Sequence, residues 1–304
     1  MKRITAILTA FLLLMLTACA PPETVKSISQ PVQSAAESIS PPVQSAGEEA
    51  LPPAALGGRL PLIQAFSASA PGEEDAVLQV KQAVQYDEEA AELIYQGAET
   101  LSEGSYAKVT LAVQDGPALM DFYVADTGFI YVKNEGGELA SVQIPPLEDV
   151  LLENYEQAFT LAAAFTLGWP EADEQDVYLD PEDGYTYGLL KDSRFSDYET
   201  FYNYLGGIFT GRWIEEALEE NENAPAVAHD GKVYVRLGGR GGNIRFAFVT
   251  FAAEEADDEK IVLTQTAYYY DDIEEPSALS SESKLCRLVY TGGGWLFDTL
   301  PVYL

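Results

Sequence analysis

A single histidine, His229, stands beside Asp230, and a cysteine, Cys286, lies in a run of alternating apolar residues in this 304-residue chain. A His–Asp pair can move a proton and a thiol can attack a carbonyl, but nucleophilic catalysis requires both to be brought together and oriented. His229-Asp230-Gly231 reads as a solvated turn ahead of a strand. Cys286 alternates with Leu288 and Tyr290 opposite Arg287, the pattern of a buried packing thiol. The sequence contains no G-x-S-x-G elbow, no H-E-x-x-H and no serine–lysine signature. Its 49 acidic residues make carboxylate pairs arguable at many places, so none is singled out for glycoside chemistry. The expectation is a protein that is not an enzyme and carries no cofactor.

Other residues suit binding better. Gly238-Gly239-Arg240-Gly241-Gly242, flanked by Arg236 and Arg245, gathers three scarce cations around a glycine-rich turn. It lacks the Lys-Ser/Thr and following helix of a phosphate loop. Arg240, Gly241 and Gly242 are candidate contacts for a partner's carboxylate. Asp180-Pro181-Glu182-Asp183-Gly184, preceded by Asp173, Glu174 and Asp176, is an acidic loop in which Asp180 and Asp183 are candidate partner contacts. It offers the oxygen ligands calcium prefers, though not at EF-hand spacing, and no metal is expected. Tyr268-Tyr269-Tyr270 runs into Asp271 and Asp272, a further candidate contact pair. Alternate tyrosines on a strand point to opposite faces, so at least one belongs to the core.

The remaining chemistry lies at the N-terminus. Lys2 and Arg3 precede a short apolar run, Ile4 to Leu16, that leads into Leu16-Thr17-Ala18-Cys19. The run is shorter than the roughly 20 residues a spanning helix requires, so residues 1–18 read as an export signal. The last four residues form a lipobox that resembles the substrates of the lipoprotein signal-peptidase pathway. That resemblance implies cleavage before Cys19 and diacylation of its sulfur. Two acyl chains, at about 0.8 kcal/mol per buried CH₂, give a stable anchor. The expected location is extracytoplasmic, attached to the cell membrane through Cys19, with Cys286 left as a single thiol.

Residues 19–73 are rich in Pro, Ser, Ala and Gln and contain a tandem duplication, Ser27–Glu37 and Ser38–Glu48. Prolines within both copies rule out a supercoiled helix. Such composition buries too little apolar surface to offset chain entropy and reads as a disordered linker. At roughly 5–6 Å × √n, some 50 residues reach about 40 Å from the lipid. The precursor's formal charge is −32, and removal of Lys2 and Arg3 leaves 15 basic against 49 acidic residues, or −34. This excess repels nucleic acid and anionic lipid, and favours cationic partners or simple solubility.

Two blocks follow. In the first, 74–146, Glu74 to about Gln96 is expected to be helical, followed by a meander over Tyr106–Val113, Met120–Ala125, Phe129–Lys133 and Ala140–Ile144. In the second, 147–304, Leu147, Val150, Leu151, Tyr155, Ala158, Phe159 and Ala162 recur at helical spacing up to Gly168-Trp169-Pro170. A short strand is expected near Tyr185–Leu190. Ser196-Asp197-Tyr198-Glu199 has the form of a capping box launching another helix, and a short one follows at about Arg212 to Glu220. Strands are expected at Val233–Leu237, Ile244–Phe251, Ile261–Tyr269, Leu285–Tyr290 and Trp295–Asp298. The fold class is α+β: helices packed on a twisted antiparallel sheet, cystatin-like or NTF2-like, with an additional N-terminal helix-plus-meander block.

Several segments carry a family resemblance. They are Arg194-Phe195-Ser196-Asp197-Tyr198-Glu199 through Tyr204-Leu205 and Phe209-Thr210, then Gly231-Lys232-Val233-Tyr234, Arg240-Gly241-Gly242-Asn243-Ile244 and Gly294-Trp295-Leu296-Phe297. Over about residues 150–304 the chain resembles the IseA-type DL-endopeptidase inhibitor family of secreted and lipid-anchored bacterial proteins. The resemblance implies an α+β inhibitor that plugs the active-site cleft of an NlpC/P60-type cell-wall endopeptidase, and leaves residues 74–146 without a role. Two alternatives stand beside it: a ligand-binding module with an NTF2-like pocket, and a structural lipoprotein of the envelope.

Overall fold

A computed structural model describes residues 62–181, 184–219, 224–238 and 242–303. Cys19, Asp183, Arg240 and Gly241, the signal 1–18 and most of the linker lie outside the described residues. The strands are β1 (Ala91–Leu101), β2 (Gly104–Val113), β3 (Ala118–Val124), β4 (Ile130–Lys133), β5 (Leu139–Val142), β6 (Ala172–Leu179), β7 (Thr186–Leu190), β8 (Ala226–His229), β9 (Lys232–Arg236), β10 (Phe246–Ala256), β11 (Lys260–Tyr270), β12 (Leu279–Tyr290) and β13 (Trp295–Thr299). Four helices are described: α1 (Glu73–Ala83), α2 (Asp149–Leu167), α3 (Tyr198–Gly206) and α4 (Gly211–Leu218). The molecule is mixed α+β, with helices on largely antiparallel sheet.

Nine strands form one sheet in the order β1-β2-β3-β4-β5-β10-β11-β12-β13, and four form another in the order β6-β7-β9-β8. The large sheet crosses the expected boundary at 146/147. There β5 pairs with β10, Val142 opposite Thr250 and Ser141 opposite Phe251. Strands of the blocks 74–146 and 147–304 therefore share one sheet.

Period-two alternation gives that sheet two apolar faces, each covered by helix. Ala76, Val80 and Ala83 of α1 join Val109, Leu111, Phe122, Val124, Val142 and Phe248 on one face. On the other, Leu151, Tyr155, Ala158 and Leu161 of α2 join Tyr131, Phe251, Leu263, Cys286, Leu288 and Phe297. Tyr155 meets Phe251 edge-on, with ring centroids 5.7 Å apart. The tyrosine run divides as alternation requires, Tyr268 and Tyr270 toward the α1 face and Tyr269 toward the α2 face. The inner face of the small sheet, with Leu190, Val233, Val235 and Ala226, continues the α2-side core along with Phe201, Leu205 and Ile214 of α3 and α4.

Several elements differ from expectation. The helix expected to run to Gln96 stops at Ala83, because Val84 is already extended (φ −122°, ψ 131°). The Asp87 carboxylate then accepts the Glu89 N–H at 2.8 Å, and the Asp87 carbonyl accepts the N–H of Ala90 and Ala91. Such an Asx turn competes with helix and redirects the chain into β1. At the α3 N-terminus the capping residue is Asp197, not Ser196: its carboxylate accepts the Thr200 N–H at 2.7 Å while the Ser196 hydroxyl bonds that same carboxylate. An ionised cap is the stronger acceptor for a helix-end amide. The acidic stretch Asp173–Asp176, expected as loop, belongs to β6. There a register shift between Asp173 and Val177 absorbs the intervening acidic residues.

The end of the expected linker is also docked. Leu62 bridges Leu147, and the Ile63 N–H donates to the Pro146 carbonyl at 2.9 Å. Ser67, 1% exposed, bonds Asp126 in the β3–β4 turn, and Asp126 accepts from both the amide and the hydroxyl of Ser69. The Ser67 carbonyl lies so close to Gly104 that a Cβ there would sit 2.0 Å from it. Residues 62–69 thus form a strap across the large sheet.

Candidate functional site

The β6–β7 hairpin and the connection from β9 to β10 hold most of the residues expected to meet a partner. The hairpin closes when the Asp180 N–H donates to the Tyr185 carbonyl at 3.0 Å and the Gly184 N–H donates to the Asp180 carbonyl at 3.0 Å. Proline at 181 and glycine at 184, with φ +75°, suit this turn. Beside it, the Leu237 N–H donates to the Thr186 carbonyl, and the Arg236 guanidinium lies 5.4 Å from the Tyr185 ring centroid. The glycine–arginine connection therefore leaves the small sheet next to the acidic hairpin.

Its other end, from exposed Gly242 through Asn243 and Ile244, enters the large sheet beside Asp271. The Tyr270 N–H donates to the Arg245 carbonyl at 2.8 Å, and Arg245 Nε donates to the Tyr270 carbonyl at 2.7 Å. Asp180 and Asp271 thus flank opposite ends of one connection. The structure brings the surroundings of the three expected segments onto a common stretch of chain, while the two carboxylates adjoin different sheets.

The Asp271 and Asp272 carboxylates are both engaged within their own loop. The Asp271 carboxylate accepts the Ser277 hydroxyl at 2.5 Å, the Ser277 and Ala278 amides at 3.0 and 3.1 Å, and the Asp272 amide at 3.0 Å. These bonds, led by Ser277, hold its carboxyl well below the usual range. Asp272 accepts the Glu274 and Glu275 amides. Both carboxylates order their own loop, 271–278, so they supply negative potential to a partner more readily than new hydrogen bonds.

What the hairpin presents is apolar as well as acidic. Val177 and Leu179 lie on the strand face that elsewhere packs against α3 and α4, yet they are 49% and 64% exposed. Tyr185 is 41% exposed and Ile244, on the connection, 70%. Sequence reading missed the two β6 residues because the surrounding acids obscured the strand. The alternation Val177, Leu179 was the available signal.

The opposite face of the small sheet carries an aromatic group around the histidine. His229 stacks on Tyr178 at 3.9 Å, Tyr234 stands edge-on to both, and the Tyr234 hydroxyl donates to Asp176 at 3.0 Å. Asp230 approaches His229 Nε2 only at 3.7 Å, from a turn made by its own positive φ (50°) and that of Gly231 (75°). Cys286 is fully buried, and desolvation pushes its thiol up to about 12, so it is protonated at neutral pH. It sits in the core on the α2 side of the large sheet, on a different element from His229. Among the described residues no group of three or more His, Cys, Asp or Glu side chains gathers around a point as metal ligands do, and no helix is long and apolar enough to cross a membrane.

Two concavities adjoin these elements. An open groove of about 1030 Å³ lies between the strap at Leu62–Ala65, the turn at Gly136–Leu139 and Phe251–Ala253 of β10. A cleft of about 440 Å³ lies at the C-terminal end of α2. No family model, curated protein or solved structure matches this chain.

Proposed function

We propose that this chain is an extracytoplasmic lipoprotein, held at the cell membrane through Cys19, that binds and blocks an NlpC/P60-type cell-wall DL-endopeptidase without chemistry of its own. In this reading its domain is a cystatin-like or NTF2-like variant of the α+β class. The reading rests on the resemblance of residues 150–304. The observation that supports it best is the exposed end of the β6–β7 hairpin. An inhibitor that fills a cleft gains from a pre-ordered apolar anchor with a charged rim. Leu179, Tyr185 and Val177 supply the anchor, and β7, itself paired to β9, holds it in place. Asp180, in the hairpin turn, supplies acidic charge beside it, and Asp271 and Asp272 supply more at the far end of the connecting segment, on which Arg240, Gly241 and Gly242 are the remaining proposed contacts.

Direct binding tests this reading. Leu179→Asp places a charge where the anchor enters a desolvated pocket, and its fold is checked by circular dichroism. Affinity of the full chain for the NlpC/P60 enzymes of the same cell should fall at least about tenfold, which corresponds to about 1.4 kcal/mol. Equal binding by the variant would remove the hairpin from the interface. The groove of about 1030 Å³ beside the strap favours a second reading, a ligand-binding module, which leads if no such enzyme binds.

A further inference from the structure

The pairing of β5 with β10 is short. It ends at Phe251 opposite Ser141, although β10 continues to Ala256 and β5 begins two residues earlier, at Leu139. In an antiparallel ladder successive residues turn their amide and carbonyl alternately toward the two neighbouring strands. The Gln143 N–H donates to the Val249 carbonyl at 2.9 Å. By that alternation Phe251 bonds Ser141, and Ala253 directs its N–H and C=O to the same side, away from Leu263, its neighbour on β11. On β5, the Asn134 N–H donates to the Glu138 carbonyl at 2.9 Å, which turns the backbone of Leu139 away from β4 and toward β10. Ala253 and Leu139 thus present backbone donors and acceptors to one gap. Neither has a ladder partner across it among the described residues.

That gap is part of the groove of about 1030 Å³, which both residues line. The volume is at the top of the range of small-molecule sites, roughly 300–1,000 Å³, and suits a longer ligand. Leu62, Ile63, Pro146 and Phe251 give the groove an apolar wall. Ala253 is exposed on one side, and Gly136-Gly137 on the other carry no side chains to obstruct entry. A free strand edge is a template for an added strand: main-chain hydrogen bonds hold an extended peptide, and its alternate side chains set the preference. The β10–β11 register shifts between Ala253 and Glu255, which limits a new ladder to the stretch ending at Ala253. The charged residues lining the groove are Glu103, Glu138 and Glu148, with no lysine or arginine among those described. They discriminate among peptides by charge.

We propose that this groove binds an extended peptide as an added strand, on the free edges of β10 at Ala253 and β5 at Leu139, and selects one whose apolar residues alternate with lysine or arginine. Alternate side chains of such a strand point to opposite sides, so one set meets the apolar wall while the other carries charge to the glutamates. The proposal rests on the second reading, to which it gives a ligand class, and is independent of the endopeptidase reading. The test is amide exchange of the isotope-labelled full chain, followed by NMR during titration with a capped hexapeptide of alternating lysine and valine. At saturation, exchange at Ala253 and Leu139 should slow at least about tenfold, while that of Ala252, whose N–H faces β11, stays as it was. The glutamate–valine counterpart should bind at least about tenfold more weakly. Methylating the central peptide nitrogens keeps the charge but removes ladder donors, and should abolish binding. Unslowed exchange at Ala253 and Leu139, or equal binding by the glutamate or methylated peptide, would overturn the proposal. Methylated peptide that still shifts the groove resonances would leave a ligand-binding groove without an added strand. Groove resonances that respond to none of these peptides would contradict both.

Discussion

Asp271 shows how a residue can look like a contact and act as a scaffold. Its carboxylate takes four donors from its own loop, none of them from a cation. Because its folded pKa is depressed, ionised Asp271 stabilises the loop at any pH above the ordinary carboxyl value of about 3.9, and the contribution is lost as pH falls through the lower folded value. Protection of the Ser277 and Ala278 amides, taken relative to their intrinsic exchange rate at each pH, should therefore hold at pH 5–7 and be lost only in strong acid. In Asp271→Ala it should be absent throughout. Slow exchange of these amides in the alanine variant would show that the carboxylate does not order the loop. The acidic character of this segment was legible in the sequence. Its consumption by local amides was not, since that depends on Ser277 and Ala278 folding back across the turn.

At the scale of elements, apolar alternation was the most reliable guide. The strands around Tyr106, Phe122, Ile130, Phe248, Leu263 and Leu288 appear close to where period two places them, because each buries one face under a helix. The misses have physical causes. The helix ends at Ala83 and the Asp87 turn then leads the chain into β1, while the β6 acids share a bulge that leaves only Val177 and Leu179 to reveal the strand. The strap at 62–69 was hidden in a Pro-Ser-Ala composition, because its attachment depends on polar contacts of Ser67 and Ser69 with Asp126 and on a side-chain-free position at 104. That position gives a direct test. Gly104 has φ +133°, and a Cβ would meet the Ser67 carbonyl at 2.0 Å. Gly104→Ala should destabilise by roughly 1–3 kcal/mol and release the strap to limited proteolysis within residues 62–70. A variant with wild-type melting temperature and an uncut strap would contradict the docked geometry.

At the scale of the whole molecule, the formal charge of −32 on 304 residues affects encounter more than final contact. An acidic inhibitor approaching a cationic rim is steered by long-range attraction, and the Debye length contracts from about 10 Å at 0.1 M salt to about 3 Å at 1 M. Onset of inhibition should slow markedly across that range, while dissociation of a formed complex, governed by the apolar anchor at Leu179 and Tyr185, changes far less. Stopped-flow association at both salt concentrations separates the two rates, and a salt-insensitive onset would exclude steering. The proposed address rests on the lipobox at Cys19, and the proposed partner class on segments spread over residues 150–304. Within the large sheet, β5 of the 74–146 block pairs with β10, the strand into which the glycine–arginine connection leads. The measurement that bears most directly on the proposed role is DL-endopeptidase activity on purified peptidoglycan, with and without the full chain and its Leu179→Asp variant. Micromolar wild-type chain should suppress release of peptide fragments by at least one NlpC/P60 enzyme of the same cell while the variant leaves it intact; undiminished activity of every such enzyme at that concentration would contradict the role.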